Sequence, residues 1–289
     1  MKKKRFEALD IISFILLTLL LVIVVLPFYS AFVTSLTSSA SYARSPVQLF
    51  PHEFSLDSYR YVFQNASLLA GYSNTIFITV IGVALSMIVS LTTAYGLSYK
   101  DYPGKKLMFI LVLIPMYFSG GLLPTYLLMK NLDMLNNPWG IILLCGVTPF
   151  NIIIIKNGID QLPDELSEAA RIDGAGEFFI FARVLVPLLA PVIATFSLFY
   201  AVDYWNEWFW SMLLLTKPEA KTLQIMLRSI VSSSQDAASG SVAAAYDNVA
   251  FSQGIKMAAV VVAMLPIMLV YPFLQKHFAK GMLVGAVKM

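Results

Sequence analysis

The sequence predicts an all-α membrane protein that crosses the bilayer with six helices. Apolar residues make up 58% of the chain and charged residues only 13%, which is far from the composition of a soluble domain. A helix needs about 20 consecutive apolar residues to span the hydrocarbon core. Six candidate spans are present: 11–33, 74–98, 107–129, 138–156, 186–210 and 256–275. Because they leave no stretch for a separate soluble core, residues 1–289 are expected to form a single transmembrane domain.

The first span is expected to be retained in the protein. It follows a basic MKKKR start, as a signal peptide does, but its apolar run exceeds the usual 7–15 residues and no small-x-small cleavage site follows. Most Lys and Arg residues lie in four segments: 1–10, 99–106, 157–185 and 276–289. Since Lys-rich and Arg-rich loops stay in the cytoplasm, the sequence predicts cytoplasmic amino and carboxyl termini and a cytoplasmic loop 157–185. The segments 34–72 and 215–255 are then the outer ones.

The second, third and fourth spans differ in regularity. Outer segment 34–72 is predicted to carry a short helix near 56–63, and the second span shows no break. The third span is interrupted by two prolines and two glycines: Pro115, Gly120, Gly121 and Pro124. Such breaks are tolerated in a membrane where neighbouring helices or water satisfy the freed backbone groups, so they indicate either a structural kink or a transport pathway. In the fourth span, Asn151 follows Pro149 and either hydrogen-bonds a neighbouring helix or lines a substrate cavity.

The most polar part of the chain is the loop before the fifth span, Leu162 to Pro187. Pro163 suits the first position of a helix, and the carboxylates of Asp164 and Glu165 suit its first turn. Gly174 provides a stop. One face of the predicted helix is apolar and shallow, formed by Leu166, Ala169, Ala170 and Ile172, and Glu168 can pair with Arg171 at its rim. These features favour docking of another protein over catalysis.

The fifth span ends in a cluster of acids, an amide and indoles. Asp203, Asn206 and Glu207 have the spacing i, i+3, i+4 and would share one face of a helix, with Trp205 beside them. One interpretation is an aromatic belt at the outer interface with its acids in water. The other is a substrate cavity, because aromatic faces stack on sugar rings while carboxylates and amides bind hydroxyl groups. After this cluster, the sequence predicts an amphipathic helix over 223–231 and a flexible loop over 232–241.

The sequence lacks the residues of several alternative functions. It contains no P-loop motif for ATP, and its single Cys145 excludes a cysteine-based metal site. His52 and His277 lie on opposite sides of the predicted membrane, and no catalytic constellation or carboxylate relay is visible. The net charge of +3 is too small to indicate nucleic acid. Catalytic residues, bound metal and a cofactor of its own are therefore not expected, and the chain is best interpreted as one subunit of a larger machine.

Three short motifs in the polar loop resemble the EAA signature of permease subunits in binding-protein-dependent ABC importers. They are Glu168-Ala169-Ala170, Asp173-Gly174-Ala175 and Val184-Leu185-Val186-Pro187, with Val184 and Val186 where the signature usually has Ile and Leu. Other short runs are similar to carbohydrate-uptake permeases of the MalG type: Asn74-Thr75, Ala94 to Ser98, Pro149-Phe150-Asn151, Leu162 to Leu166 and Trp205-Asn206. The tail 278–288 is similar to a branch that imports oligosaccharides, including uronate-containing ones. The resemblance covers essentially the whole chain.

The resemblance implies a type I ABC importer permease fold in the bacterial cytoplasmic (inner) membrane. It implies that Leu162 to Gly174 is a coupling helix seated in a groove of a cytoplasmic ATPase subunit. The coupling residues are then Leu166, Glu168, Ala169, Ala170, Asp173 and Gly174. The implied partners are a second permease, forming a heterodimer, two ATPase subunits that bind ATP and Mg, and an extracytoplasmic sugar-binding protein. The chain would itself be no enzyme.

The expected function is carbohydrate import by alternating access, driven by ATP and most consistent with an oligosaccharide. The substrate-cavity candidates are Asp203, Trp205, Asn206, Glu207 and Asn151. The main alternative is a channel or ion-coupled carrier acting alone, which would transport without ATP or partner subunits. A membrane-embedded enzyme is a third interpretation, which the missing catalytic groups disfavour.

Overall fold

The computed structural model describes residues 8–99, 102–236, 253–270 and 272. Apart from an isolated β-bridge between Thr37 and Phe54, the regular structure of these residues is helical. The first eight helices are α1 (Ala8–Ser35), α2 (Ser39–Arg44), α3 (Asp57–Gln64), α4 (Ala66–Ser98), α5 (Lys105–Tyr117), α6 (Leu122–Asn131), α7 (Pro138–Leu144) and α8 (Pro149–Asp160). The next helices are α9 (Asp164–Ile172), α10 (Glu177–Phe179), a π-helical stretch (Ile180–Leu185), α11 (Val186–Leu188), α12 (Ala190–Asn206), α13 (Phe209–Leu214), α14 (Leu223–Asp236) and α15 (Gln253–Val270).

Three of these helices are long and apolar enough to span a membrane unaided. They are Ile11–Ser35, Ala66–Ser98 and Gln253–Val270. Three further helix pairs reach the same length and composition but bend at a short break: α5 with α6 by 115°, α7 with α8 by 55°, and Glu177–Leu188 with α12 by 81°. Counting each bent pair as one span gives the six predicted spans.

The sequence locates some of the breaks and misses others. The predicted interruption of the third span lies between Tyr117 and Leu122. The fourth span has a break that the sequence analysis did not locate. Helix α7 ends at Leu144 and α8 begins with Pro149, a position where proline starts a helix well. The fifth span also differs from its prediction, since its helix ends at Asn206. The tail 278–288 and residues 237–241 of the predicted loop lie outside the described residues. The prediction of a loop over 232–236 is wrong, because α14 continues to Asp236.

The helices predicted in the outer segments are present. Helix α3 corresponds to the expected short helix and α14 to the expected amphipathic one, while α2 has no counterpart in the sequence prediction. The second span begins eight residues earlier than expected, at Ala66. The outer segment 34–72 therefore ends within helix α4.

The described residues form two compact units. One lies between Met1 and Leu68 and between Leu227 and Leu265, and the other between Leu69 and Met226 and from Pro266 onward. In the first unit, the α1 side chains from Ile11 to Ser30 are exposed, and burial begins at Ala31. The expectation of one domain over 1–289 stays a prediction.

The second unit is built around the contact between α4 and α12. The Tyr200 hydroxyl lies 2.8 Å from Ser90 Oγ, and the Tyr204 hydroxyl lies 3.0 Å from Ser86 Oγ. Both tyrosines also reach the broken fourth span: Tyr204 donates to the Ile142 carbonyl at 2.9 Å, and Tyr200 accepts from the Thr148 N–H at 3.4 Å. These hydroxyls thus satisfy backbone groups on both sides of the break, as a membrane interior requires.

Candidate functional site

Helix α9 is the short, two-sided helix that the polar loop predicts. It begins at Asp164, with Pro163 as the preceding cap residue and not the first helical one. At the other end, Gly174 adopts a φ of +81°. The Gly174 N–H donates to the Arg171 carbonyl at 3.0 Å and the Ala175 N–H to the Ala170 carbonyl at 2.9 Å, which is the Schellman arrangement of helix ends. The predicted glycine stop is confirmed.

One side of α9, together with the turn that follows it, forms an exposed apolar surface. Ile172 is 86% exposed, Phe178 83% and Leu166 39%, and Ala169 is exposed between them. Glu168 is also exposed and makes no ion pair with any described residue. A surface of large apolar side chains around small alanines, with a carboxylate at its edge, is suited to close contact with another protein.

The predicted pair between Glu168 and Arg171 is not formed. Arg171 turns to Glu177 instead, with 2.9 Å between Nε and Oε1 and 3.4 Å between Nη2 and Oε2. The Tyr95 hydroxyl donates to the other side of this carboxylate, 2.5 Å from Oε2. The guanidinium also lies 5.4 Å from the centre of the Tyr99 ring, within cation–π range. We call Tyr95, Tyr99, Arg171 and Glu177 the loop clamp.

The charges of the loop clamp are mutually stabilised. Hydrogen bonds from Arg171 and then from Tyr95 lower the pKa of Glu177 from its ordinary value of 4.5, and the bond to Glu177 raises the pKa of Arg171. The pKa of Glu177 is lower in the folded protein than in the unfolded chain. Its contribution to the free energy of unfolding is therefore fully present at a pH above its ordinary pKa and is lost as the pH falls through the lowered pKa. The clamp is therefore charged throughout the neutral range.

A cavity of about 310 Å³ lies beside α9. Its walls come from the end of α4, the end of α8, α9 and Leu185. Lys156 and Asp160 in α8 form an ion pair next to it. Tyr95, Tyr99 and Arg171 of the loop clamp and Glu168 of α9 all contribute to the cavity wall.

Replacing Gly174 by alanine should loosen the end of α9. A side chain at positive φ costs about 1–2 kcal/mol, whereas no neighbouring atom lies within 4 Å of the new Cβ, so the backbone is the only source of strain. Hydrogen exchange of the α9 amides should accelerate by about 5- to 30-fold. Gly176→Ala is the matched control, since Gly176 has a φ of −75° and equally open space. Equal exchange in both variants would contradict the strain argument.

The two acids of the fifth span lie on either side of the point where its helix ends. Asp203 is exposed in the last turns of α12, and Asn206 donates from Nδ2 to the Val202 carbonyl at 3.0 Å. Glu207 lies beyond the helix, where Oε1 accepts from the Trp210 N–H at 2.7 Å. Because α12 ends at Asn206, the helix does not include Glu207, and the expected shared face of Asp203 and Glu207 stays a prediction.

Trp205 lies in an apolar environment. It is only 6% exposed, and its ring meets Tyr72 edge-on at 6.2 Å between centroids. Its carbonyl accepts from Gln224 Nε2 at 3.2 Å. It also borders an apolar cavity of about 190 Å³, whose other walls include Ile76, Val80, Ala201, Val202 and Ile267. These contacts give Trp205 a packing role, and its predicted stacking on a sugar stays a prediction.

Asn151 lies in the first turn of α8, just beyond the break in the fourth span. It is 5% exposed, yet its side chain makes no hydrogen bond to the described residues. The expected bond to a neighbouring helix is therefore not found there. Its amide atoms are not among the fully buried side-chain atoms that lack a hydrogen-bond partner, and its expected contact with substrate stays a prediction.

Sequence reasoning missed two further groups of interacting residues. Glu177 and Tyr95 of the loop clamp are 82 positions apart, and no periodicity links them. The second group fastens the outer loops: Asn74 Nδ2 donates to the carbonyls of Glu219 and Lys221 at 2.8 and 3.0 Å, and Thr75 Oγ1 accepts from the Leu223 N–H at 2.9 Å. The Asn74-Thr75 pair had stood out only by resemblance.

Comparison with known proteins gives consistent results over the whole chain. Residues 2–284 match the model of the family described as binding-protein-dependent transport system inner membrane component. The chain is 45% identical to protein LplC of Bacillus subtilis (strain 168) over 92% of this chain and 90% of that protein. It is 41% identical to the polygalacturonan/rhamnogalacturonan transport system permease protein YtcP of the same organism, over the full length of both.

A solved structure has the same fold. It is a chain from the crystal structure of a bacterial ABC transporter involved in the import of the acidic polysaccharide alginate. The likeness has a TM-score of 0.86 at 29% identity and covers 96% of this chain and 100% of that one.

Proposed function

Because this chain belongs to the family of binding-protein-dependent transport system inner membrane components, we propose that it is the permease subunit of an ATP-driven carbohydrate importer. It is a multi-pass membrane protein with the type I importer permease fold and is not itself an enzyme. Its substrate passes by alternating access between an outward-open and an inward-open cavity. The single observation that supports a role for particular residues is the exposed apolar face of α9, together with Glu168, which has no ion-pair partner in the described part of the chain.

The coupling helix α9 is the surface on which the ATPase acts. Its alanines allow a groove to approach the backbone, and Leu166 and Ile172 offer apolar area that is exposed in this chain. Glu168 supplies a negative charge for a basic or polar group of that groove. Since a rigid, capped helix transmits displacement better than a loop, the Schellman turn at Asp173 and Gly174 belongs to the coupling device.

The assembly contains a second permease, two cytoplasmic ATPase subunits and an extracytoplasmic sugar-binding protein. The ATPase subunits bind ATP and Mg and carry out hydrolysis, and this chain holds no cofactor. The second permease is a different chain, which makes the membrane part a heterodimer. Both termini face the cytoplasm, on the same side as α9, in the bacterial cytoplasmic (inner) membrane. The excess of Lys and Arg in the predicted inner segments supports this orientation.

The proposed substrate is an oligosaccharide, and oligosaccharides that contain uronate residues are the favoured candidates. Two similar proteins point to them, since one is named for polygalacturonan and rhamnogalacturonan transport and the other takes part in alginate import. Asp203, Asn206 and Asn151 are the candidate contacts on this chain, because each presents a polar side chain that can bind hydroxyl groups.

Purification of the complex from its native membrane tests the proposal. An ATPase, a second permease and a sugar-binding protein should accompany the detergent-solubilised chain. Proteoliposomes containing the complex should take up labelled oligosaccharide only with enclosed ATP, with neutral and uronate-containing oligosaccharides compared. Recovery of this chain alone, still active without ATP, would overturn the proposal in favour of a channel or ion-coupled carrier.

Asp203→Asn should weaken transport without disturbing assembly. Hydrogen bonds to charged groups are worth about 1.5–3 kcal/mol, so the sugar concentration for half-maximal uptake should rise by roughly 10-fold or more. ATPase recovery should be unchanged. Trp205→Ala is a poorer probe, because removal of a buried indole costs about 3–5 kcal/mol in packing alone. Uptake identical to wild type would assign Asp203 to the aqueous side of an aromatic belt instead.

A further inference from the structure

The loop clamp adjoins the surface proposed to dock the ATPase, since Glu168 and the clamp residues Tyr95, Tyr99 and Arg171 line the same cavity. The carboxylate, guanidinium and phenol of the clamp join the two arms of the loop to α4, while Leu166, Glu168 and Ile172 remain exposed. We propose that Tyr95, Arg171 and Glu177 are positioning residues that make the coupling helix and α4 move as one body during transport. This inference rests on the proposed function and names the path by which docking reaches the membrane helices.

The geometry of the clamp fixes both ends of the turn after α9. Arg171 lies in the last turn of α9 and Glu177 at the start of α10, so their two-point contact closes the intervening residues into a loop. Tyr95 then attaches that loop to α4 through its hydroxyl, and its ring packs at 5.1 Å from the ring of Phe181 in the π-helical stretch. In the described part of the chain, Glu177 is the hydrogen-bond partner of the Tyr95 hydroxyl.

Helix α4 continues the connection toward the membrane interior. One and two turns before Tyr95, its Ser90 and Ser86 hydrogen-bond the Tyr200 and Tyr204 hydroxyls of α12. Tyr204 in turn holds the Ile142 carbonyl next to the break in the fourth span. A displacement of α9 that moves α4 would therefore also move the fifth span, which carries Asp203, and the fourth span, which carries Asn151.

The clamp is suited to positioning more than to stabilisation. Arg171 and Glu177 retain 41% and 48% of their side-chain exposure, and ion pairs in such settings add little to stability. The turn is nevertheless restrained by three different contacts: the bidentate bond of Arg171, the hydrogen bond from the Tyr95 hydroxyl and the stacking of Arg171 on the Tyr99 ring. Loss of one contact should leave the fold intact and allow the loop to move independently of α4.

Tyr95→Phe and Glu177→Gln test the proposal in the complete complex. The phenylalanine keeps the ring contact with Phe181 and loses only the hydroxyl, while the glutamine keeps the size of the side chain and loses its charge. Sugar transported per ATP hydrolysed should fall by about 3- to 10-fold, and hydrogen exchange across 171–177 should accelerate by at least about 10-fold. Recovery of the ATPase subunits should equal that of wild type. Glu165→Gln, an exposed acid on the same helix, is the control and should change neither quantity.

A double variant strengthens the test. Because the Tyr95 hydroxyl and Glu177 act on each other, the effect of Tyr95→Phe combined with Glu177→Gln should be smaller than the sum of the two single effects. Unchanged exchange and an unchanged transport ratio in the single variants would overturn the clamp, as would loss of ATPase recovery, which would make these residues part of the docking surface. Uptake by the wild-type complex without ATP would overturn the proposed function instead, and the exchange measurement would still decide whether the clamp holds the loop.

Discussion

Glu168→Lys is expected to abolish ATP-driven uptake while leaving the membrane helices folded. The side chain is exposed on α9 and has no ion-pair partner among the described residues, so its replacement breaks no ion pair among them. At the proposed ATPase groove, however, a lysine would face groups that accommodate a carboxylate. Like-charge contacts at an interface cost several kcal/mol, so ATPase recovery should fall by at least about 10-fold.

The measurement is the amount of ATPase subunit that co-purifies with the chain, together with ATP-driven uptake in proteoliposomes. Glu219→Lys makes the same change of charge on an exposed glutamate in the predicted outer segment and should retain both. Glu168→Gln should give an intermediate result, since it removes the attraction without adding repulsion. Full recovery of the ATPase with Glu168→Lys would contradict the docking surface.

The local features of the site could be predicted because their signals lie within a few residues of one another. Pro163 and Gly174 bracket α9, and the glycine is needed because the backbone there has φ of +81°. Local sequence signals could not predict which glutamate pairs with Arg171. Glu168 and Glu177 are both within reach along the chain, and the turn at Gly174 selects Glu177 by bringing α10 back alongside α9.

The long-range contacts are beyond such reasoning. The break in the third span could be predicted from the sequence, because Gly120 and Gly121 by themselves weaken a helix. The break in the fourth could not, because Pro149 is equally compatible with the first turn of a new helix and with a kink. The tyrosine hydroxyls that stabilise this break come from α12, more than 50 residues away, and only the packed structure shows them.

Gly82→Ala is expected to destabilise the contact between α4 and α12 strongly. An added Cβ would lie 2.5 Å from Tyr204 Cζ and 2.6 Å from Cε2, and the ring cannot move aside easily because its hydroxyl is held by Ser86 and the Ile142 carbonyl. Overpacking of this kind costs about 1–3 kcal/mol. Displacement of the ring would also release the backbone group beside the fourth-span break, so both folding and transport should suffer.

Thermal unfolding of the purified complex checks this expectation. Cys145 is the single cysteine of the chain and is partly buried at the end of α7, so a thiol-reactive dye reports exposure of the break directly. The unfolding midpoint of Gly82→Ala should fall by roughly 2–10 °C. Gly96→Ala, in the same helix but with open space around its Cβ, should match wild type.

Tyr204→Leu should partly restore Gly82→Ala by removing the ring, whereas Tyr204→Phe should not, because the clash is with the ring itself. A Gly82→Ala midpoint equal to that of Gly96→Ala would mean that α4 and α12 are not held in contact at this point, and the route from the loop clamp to the fourth span would then fail with it.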